Sequence, residues 1–329
     1  MGVLSRSKAR TLLTLAILFI TPVVFGQAKI NDVKSSFNQA VQMEKFNPEA
    51  AINSYENVIE LADEVGGEEA TKIKDQAKGR IPKMYYEAAK KHAGKGDYDA
   101  SVEMLESSIE GYKAAGNERA VRRSLSTILK IRNVQGGAAL KAGEFDKALG
   151  YFDDAIGRDP GYTDGYLGKL LVYNEMEDGM KMEEIAEAGL KVADQERDHK
   201  VGGNIKKVMR GYFFNNAQKA MADEDFAKAE LNLSKAIEYG HNNAIVHYQL
   251  GLAMNGQEKW AGAVESFNKC LELETGDAED KAKVYFNLAV AYQKLGQDAN
   301  ACSSYKKSLY GEFKEAAQYQ IDNVLECDA

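Results

Sequence analysis

Proline is scarce in this 329-residue chain, with four in all and one of them at position 22. Tryptophan occurs once, histidine four times and cysteine three times. So few helix breakers, set among abundant Ala, Lys, Glu and Leu, exclude a β-sandwich or barrel and favour long runs of helix. The four histidines are scattered. His92 and His199 have no Cys or His near them at metal-ligand spacing, His241 lies in a turn and His247 takes a core-type position, so no metal is expected. No phosphate loop, dinucleotide fingerprint or H-E-x-x-H helix occurs, and neither an enzyme nor a cofactor is expected. An excess of positive charge is also missing: the net charge is -8. An acidic field repels phosphate backbones, which argues against nucleic acid as a partner.

Nor is there an apolar run long enough to span a bilayer. The apolar stretch Leu12 to Phe25, free of charge, follows Arg6, Lys8 and Arg10 and is followed by Gly26. A basic start, a short apolar segment and small residues before a cut site form the layout of a secretory signal. Residues 1–26 are therefore expected to be removed, leaving no membrane span and a periplasmic or secreted chain. The signal carries three positive charges and no negative ones, so its loss takes the net charge from -8 to -11.

Internal repetition is the strongest feature. One unit starts at Ala244, with His247, Leu250-Gly251, Met254, Ala263, Phe267 and Cys270. The next starts at Ala282, with Tyr285, Leu288-Ala289, Tyr292, Gly296, Ala301, Tyr305 and Ser308. The preceding one starts at Arg210, with Phe213, Asn216-Ala217, Ala220, Phe226, Ala229, Leu233 and Ala236. Weaker copies follow Asp32, Pro82, Leu129 and Thr163. In the three best units the second helix carries a small residue, a bulky one and a small one at i, i+4 and i+7, which is one helical face. Small residues there let neighbouring helices approach closely.

These residues resemble the tetratricopeptide pattern, in which W-x2-L-G-x2-Y and A-x3-F recur with a period of about 34 residues. The resemblance covers nearly the whole chain after the signal. It implies an all-α, right-handed superhelical α-α solenoid over residues 27–329. About seven hairpins are expected, at 32–66, 82–115, 129–162, 163–196, 210–243, 244–277 and 282–310, with a capping helix over 312–326. Phe313, Ala316, Ala317, Ile321 and Leu325 share the apolar face of that cap, and Pro82 is expected to kink or interrupt a long helix near Ile81.

The resemblance also implies a protein or peptide partner held on the concave face, which the first helix of each hairpin lines. Phe214, Tyr248 and Phe286 take equivalent inward positions and Asn215, Gln249 and Asn287 follow them. Gln218, Leu252 and Val290 extend the surface, with Met221, Asn255 and Gln293 at its margin. Aromatics supply contact area and amides can pair with a guest backbone. The family's carboxylate-clamp variety wants a Lys and an Asn where this chain has Phe214 and Gln218, so that variety is not expected. Export implies an oxidising compartment, and Cys302 and Cys327, which flank the last hairpin, are candidates for a disulfide. Cys270, in a small core slot, reads as a packed thiol. Two roles fit: a scaffold for assembling an envelope complex, or a chaperone for secreted or outer-membrane proteins. Self-association into a homo-oligomer is compatible with either.

Overall fold

A computed structural model describes residues 29–327; the expected secretory signal lies outside the described residues. Among these residues there is no strand. The chain divides into two compact units, one of residues up to Lys95 with Glu103–Val121, the other of Gly96–Val102 with the rest from Arg122.

The first unit contains α1 (Ile30–Met43), α2 (Pro48–Val65), α3 (Gly67–Lys95) and most of α4 (Tyr98–Ala114). Asn47 caps α2 by accepting from the Ala50 amide at 3.2 Å, and Pro48 fills the first helical position, where no amide proton is needed. Val33, Ala40, Tyr55, Val58 and Met84 form the core. Pro82 does not interrupt α3, which runs unbroken through it. The proline ring rests where Gly111 of α4 leaves room: a Cβ at Gly111 would stand 3.0 Å from the ring's own Cβ. Ser108 donates to the Pro82 carbonyl at 2.9 Å. Packing against α4 thus offsets the backbone hydrogen bond that proline removes.

The second unit is a run of hairpins. It comprises α5 (Glu118–Lys141), whose first residues belong to the other unit, then α6 (Phe145–Arg158), α7 (Thr163–Glu175), α8 (Gly179–Gln195), α9 (His199–Ala222) and α10 (Phe226–Glu238). It continues with α11 (Ala244–Gly256), α12 (Trp260–Leu273), α13 (Ala278–Lys294), α14 (Asp298–Lys307) and α15 (Lys314–Tyr319). From α6 to α14 each helix packs on its neighbours in sequence; α7 also touches α9, and α11 touches α13. In these two places the first helices of successive hairpins lie side by side, as in a solenoid. Side-chain caps begin most of these helices. Asp178, Asp198, Asp225 and Asn243 each accept the amide three residues on, at 3.0–3.1 Å, and each such cap contributes about 1 kcal/mol.

The small–bulky–small faces are the spine of this unit. Ala229, Leu233 and Ala236, then Ala263, Phe267 and Cys270, then Ala301, Tyr305 and Ser308 are all buried. Glycine makes room for two of the buried rings. Phe152 lies against Gly136 of α5 and Gly168 of α7, and Phe267 lies against Gly251.

The C-terminal cap departs from a single helix. It is a 3-10 turn at Gly311–Phe313, then α15, then a π turn at Gln320–Val324. The wide turn shifts the helical phase, so Ala317 and Ile321 are buried, Phe313 and Leu325 half-buried, and Ala316 exposed. It also folds the tail back: the Leu325 amide donates to Gln320 and the Cys327 amide to Ile321, both at 2.9 Å. Cys327 is thereby brought beside Cys302, with Cα atoms 5.7 Å apart and the sulfurs joined. Such a separation is ordinary for a disulfide. Cys270 is a buried free thiol, pushed up to about 11 by its burial.

Candidate partner-binding groove

Helix α9 has two working faces. Val201, Ile205, Met209, Phe213, Ala217 and Ala220 face the core and are buried. Turned away from them, at the same helical period, are Asn204, Lys207, Val208, Gly211, Asn215 and Lys219. Helix α7 divides likewise: Leu170 and Val172 are buried, whereas Leu167, Leu171 and Asn174 look outward. Because α7 and α9 lie side by side, their outward faces enclose an open groove of about 710 Å³.

The floor of this groove is apolar, from Leu167, Leu171, Val208 and Tyr212. Four amides, Asn174, Asn204, Asn215 and Asn216, stand along it. Lys207 and Lys219 supply positive charge and Glu177 the one carboxylate of the lining. Leu171 is 37% exposed, so the floor is open to a guest. An apolar floor with amide walls suits an extended polypeptide: side chains settle on the floor while amides pair with its backbone.

Of the residues expected to bind a partner, Asn215 lines this groove. Tyr248, Gln249 and Leu252 line a second cleft of about 370 Å³, with Met221, Ile245 and Lys283 at its edges. There the Lys283 ammonium lies 5.4 Å from the centre of the Tyr248 ring, and Asn287 donates to the Tyr248 hydroxyl at 3.3 Å. Burial raises the Tyr248 hydroxyl above its ordinary pKa. The Gln249 Oε1 atom is buried without a hydrogen-bond partner among the described residues, an acceptor that a guest N–H could satisfy.

The other expected residues lie elsewhere. Phe214 meets the His241 ring edge-on at 4.7 Å. Phe286 is held between Tyr305 and Phe313, at 5.5 and 5.4 Å, and Val290 packs into the same C-terminal cluster. Gln218 is exposed. The three aromatics therefore occupy three different settings. Sequence reasoning missed Leu167, Leu171, Asn174, Asn204 and Val208, because the hairpin that supplies α7 drifts from the repeat pattern in its second helix. The spine there is Met182, Ala186 and Gly189, all buried, with Met and Gly in place of the usual pair.

A tetratricopeptide repeat model matches residues 282–310, the hairpin of α13 and α14. A rubrerythrin model matches residues 168–285. Among the described residues no three His, Cys, Asp or Glu stand where they could hold a metal ion. The photosystem I assembly protein Ycf3 of Synechococcus sp. (strain CC9902) is 33% identical over 66 residues, 20% of this chain. That stretch is 38% of the relative, so the chain spans well under half the length of the curated protein it matches. A crystal structure of MamA protein is 18% identical, with a TM-score of 0.29 over 60% of this chain and 97% of that one. YrrB, described as a TPR protein with an unusual peptide-binding site, is 18% identical, with a TM-score of 0.30 over 60% and 87%. The repeat match and the hairpin packing together support a tetratricopeptide-type helical-repeat protein. No helix among the described residues is long and apolar enough to cross a membrane.

Proposed function

We propose that this chain is an exported, non-catalytic scaffold that holds a segment of another protein in the groove between α7 and α9 and serves the assembly of an envelope complex. The observation that carries the reading is the groove itself: an open apolar floor flanked by four asparagines whose side chains make no hydrogen bond among the described residues. Unused amides beside an apolar floor are what a guest main chain requires. The basic and apolar start of the sequence and the joining of Cys302 with Cys327 favour a periplasmic or secreted setting. The name of the assembly protein Ycf3 favours an assembly role over storage or transport, within the matched 66 residues.

Affinity capture from an envelope extract tests this. The intact chain is expected to retain one partner in stoichiometric amount, and Leu171→Asp plus Val208→Asp, which puts charge on the floor, is expected to lose it with the helical circular dichroism unchanged. Equal retention by the charged-floor variant would rule the groove out. Many clients in small amounts would instead support a chaperone.

A further inference from the structure

Along the groove, positive charge collects in a chain whose net charge is -8. Lys207 and Lys219 line it and form no ion pair among the described residues. A shallower cleft of about 330 Å³ continues it across α9 onto α10, sharing Tyr212, Asn216 and Lys219 with it. This second stretch adds Lys228, also without an ion pair, and Leu231, a leucine 57% exposed. Two acids line these clefts. Glu183 is bound by Lys235 at 2.6 Å, and Glu177 is the one carboxylate among the residues lining the larger groove. Elsewhere some lysines are paired, as Lys169 is with Asp153 and Lys259 with Glu230, both at 2.6 Å; what sets this tract apart is that its lysines line one continuous cleft. Three unpaired ammonium groups in one tract, beside exposed leucines, are complementary to a segment that alternates acidic and apolar residues.

We propose that the tract from α7 across α9 to α10 selects an extended acidic segment of a partner protein, its carboxylates on Lys207, Lys219 and Lys228 and its apolar side chains on Val208, Leu171 and Leu231. This rests on the peptide-holding reading above and names the partner's chemistry. A protein segment is favoured over a phosphate polymer for two reasons. The chain as a whole repels a dense polyanion, and the tract's leucines and amides match side chains and a peptide backbone.

The test is a peptide array probed with the full chain. Its three sets of randomised extended peptides are matched in apolar content and fixed as acidic, amide-neutral or basic. The acidic set is expected to bind, weakening on the order of ten-fold as salt screens the contact. Lys207→Glu plus Lys219→Glu is expected to move the preference to the basic set while thermal unfolding stays put. Lys→Gln at the same two positions should abolish the preference without reversing it. Binding with no acidic bias, or an unchanged preference in the reversed variant, would overturn the acidic assignment and leave peptide binding standing. Retention of no peptide from any set would overturn both. A single-stranded oligonucleotide held more tightly than the acidic peptides would assign the lysines to phosphates and overturn the proposal.

Discussion

At the scale of single residues, the fold is decided by where side chains are left out. A Cβ at Gly251 would stand 2.6 Å from Phe267 Cδ1, inside any real contact, whereas a Cβ at Gly203 of α9 meets nothing within 4 Å. The same substitution should therefore act in opposite directions. Gly251→Ala is expected to destabilise by about 1–3 kcal/mol through overpacking. Gly203→Ala should stabilise by about 0.5–1 kcal/mol through helix propensity and a stiffer unfolded chain. Urea unfolding of the two variants checks both signs. The spine was legible in the sequence at this scale, since Ala229, Leu233 and Ala236 can repeat at i, i+4 and i+7 only if that face is buried. Asn204, Asn174 and Lys207 were not. An exposed amide or lysine on a helix has the same local pattern whether it faces bulk water or a groove, and only the neighbouring helix makes the difference.

Another residue-scale expectation concerns acid. Glu44 accepts from the Tyr55 hydroxyl at 2.5 Å and from Arg80 at 2.6 Å. Burial pushes its carboxyl up, but these two hydrogen bonds and the Arg80 charge outweigh burial and hold it below its ordinary 4.5. A depressed carboxyl stabilises fully above its unfolded pKa, and that contribution is lost as pH falls through the folded value. The first unit should thus weaken below about pH 4.5. Glu44→Gln should cost about 1 kcal/mol at pH 7 and flatten the acid limb of a denaturation series.

Among the elements, the cap shows how a local irregularity serves packing. A regular helix from Phe313 would carry Cys327 past Cys302. The π turn at Gln320–Val324 folds the tail back while keeping Ala317 and Ile321 on the core. Cys302→Ser should free the cap, at a cost of roughly 3 kcal/mol for a loop of this length. Hydrogen exchange should show lost protection concentrated at residues 311–327, with α7 to α10 unchanged. The apolar members of the cap were readable from their spacing; the break in the helix was not, because a π turn has no composition signature comparable to glycine or proline. Pro82 illustrates the converse. Its sequence signal is strong, yet tertiary packing against Gly111 overrides it.

For the whole molecule, the repeat period conveyed the class of fold because each hairpin must cover the next one's apolar side. Function was less legible, since one architecture can present many different surfaces. The aromatic positions singled out by the repeat, Phe214, Tyr248 and Phe286, went largely into packing, and the open groove formed where the pattern was weakest. The most direct check of the groove is site-specific photo-cross-linking of the captured partner, with a benzophenone side chain placed at Asn204 in the groove or at Glu187, an exposed position of α8 that does not line it. Adducts are expected from position 204 and none from 187. Adducts from 187 alone would contradict this.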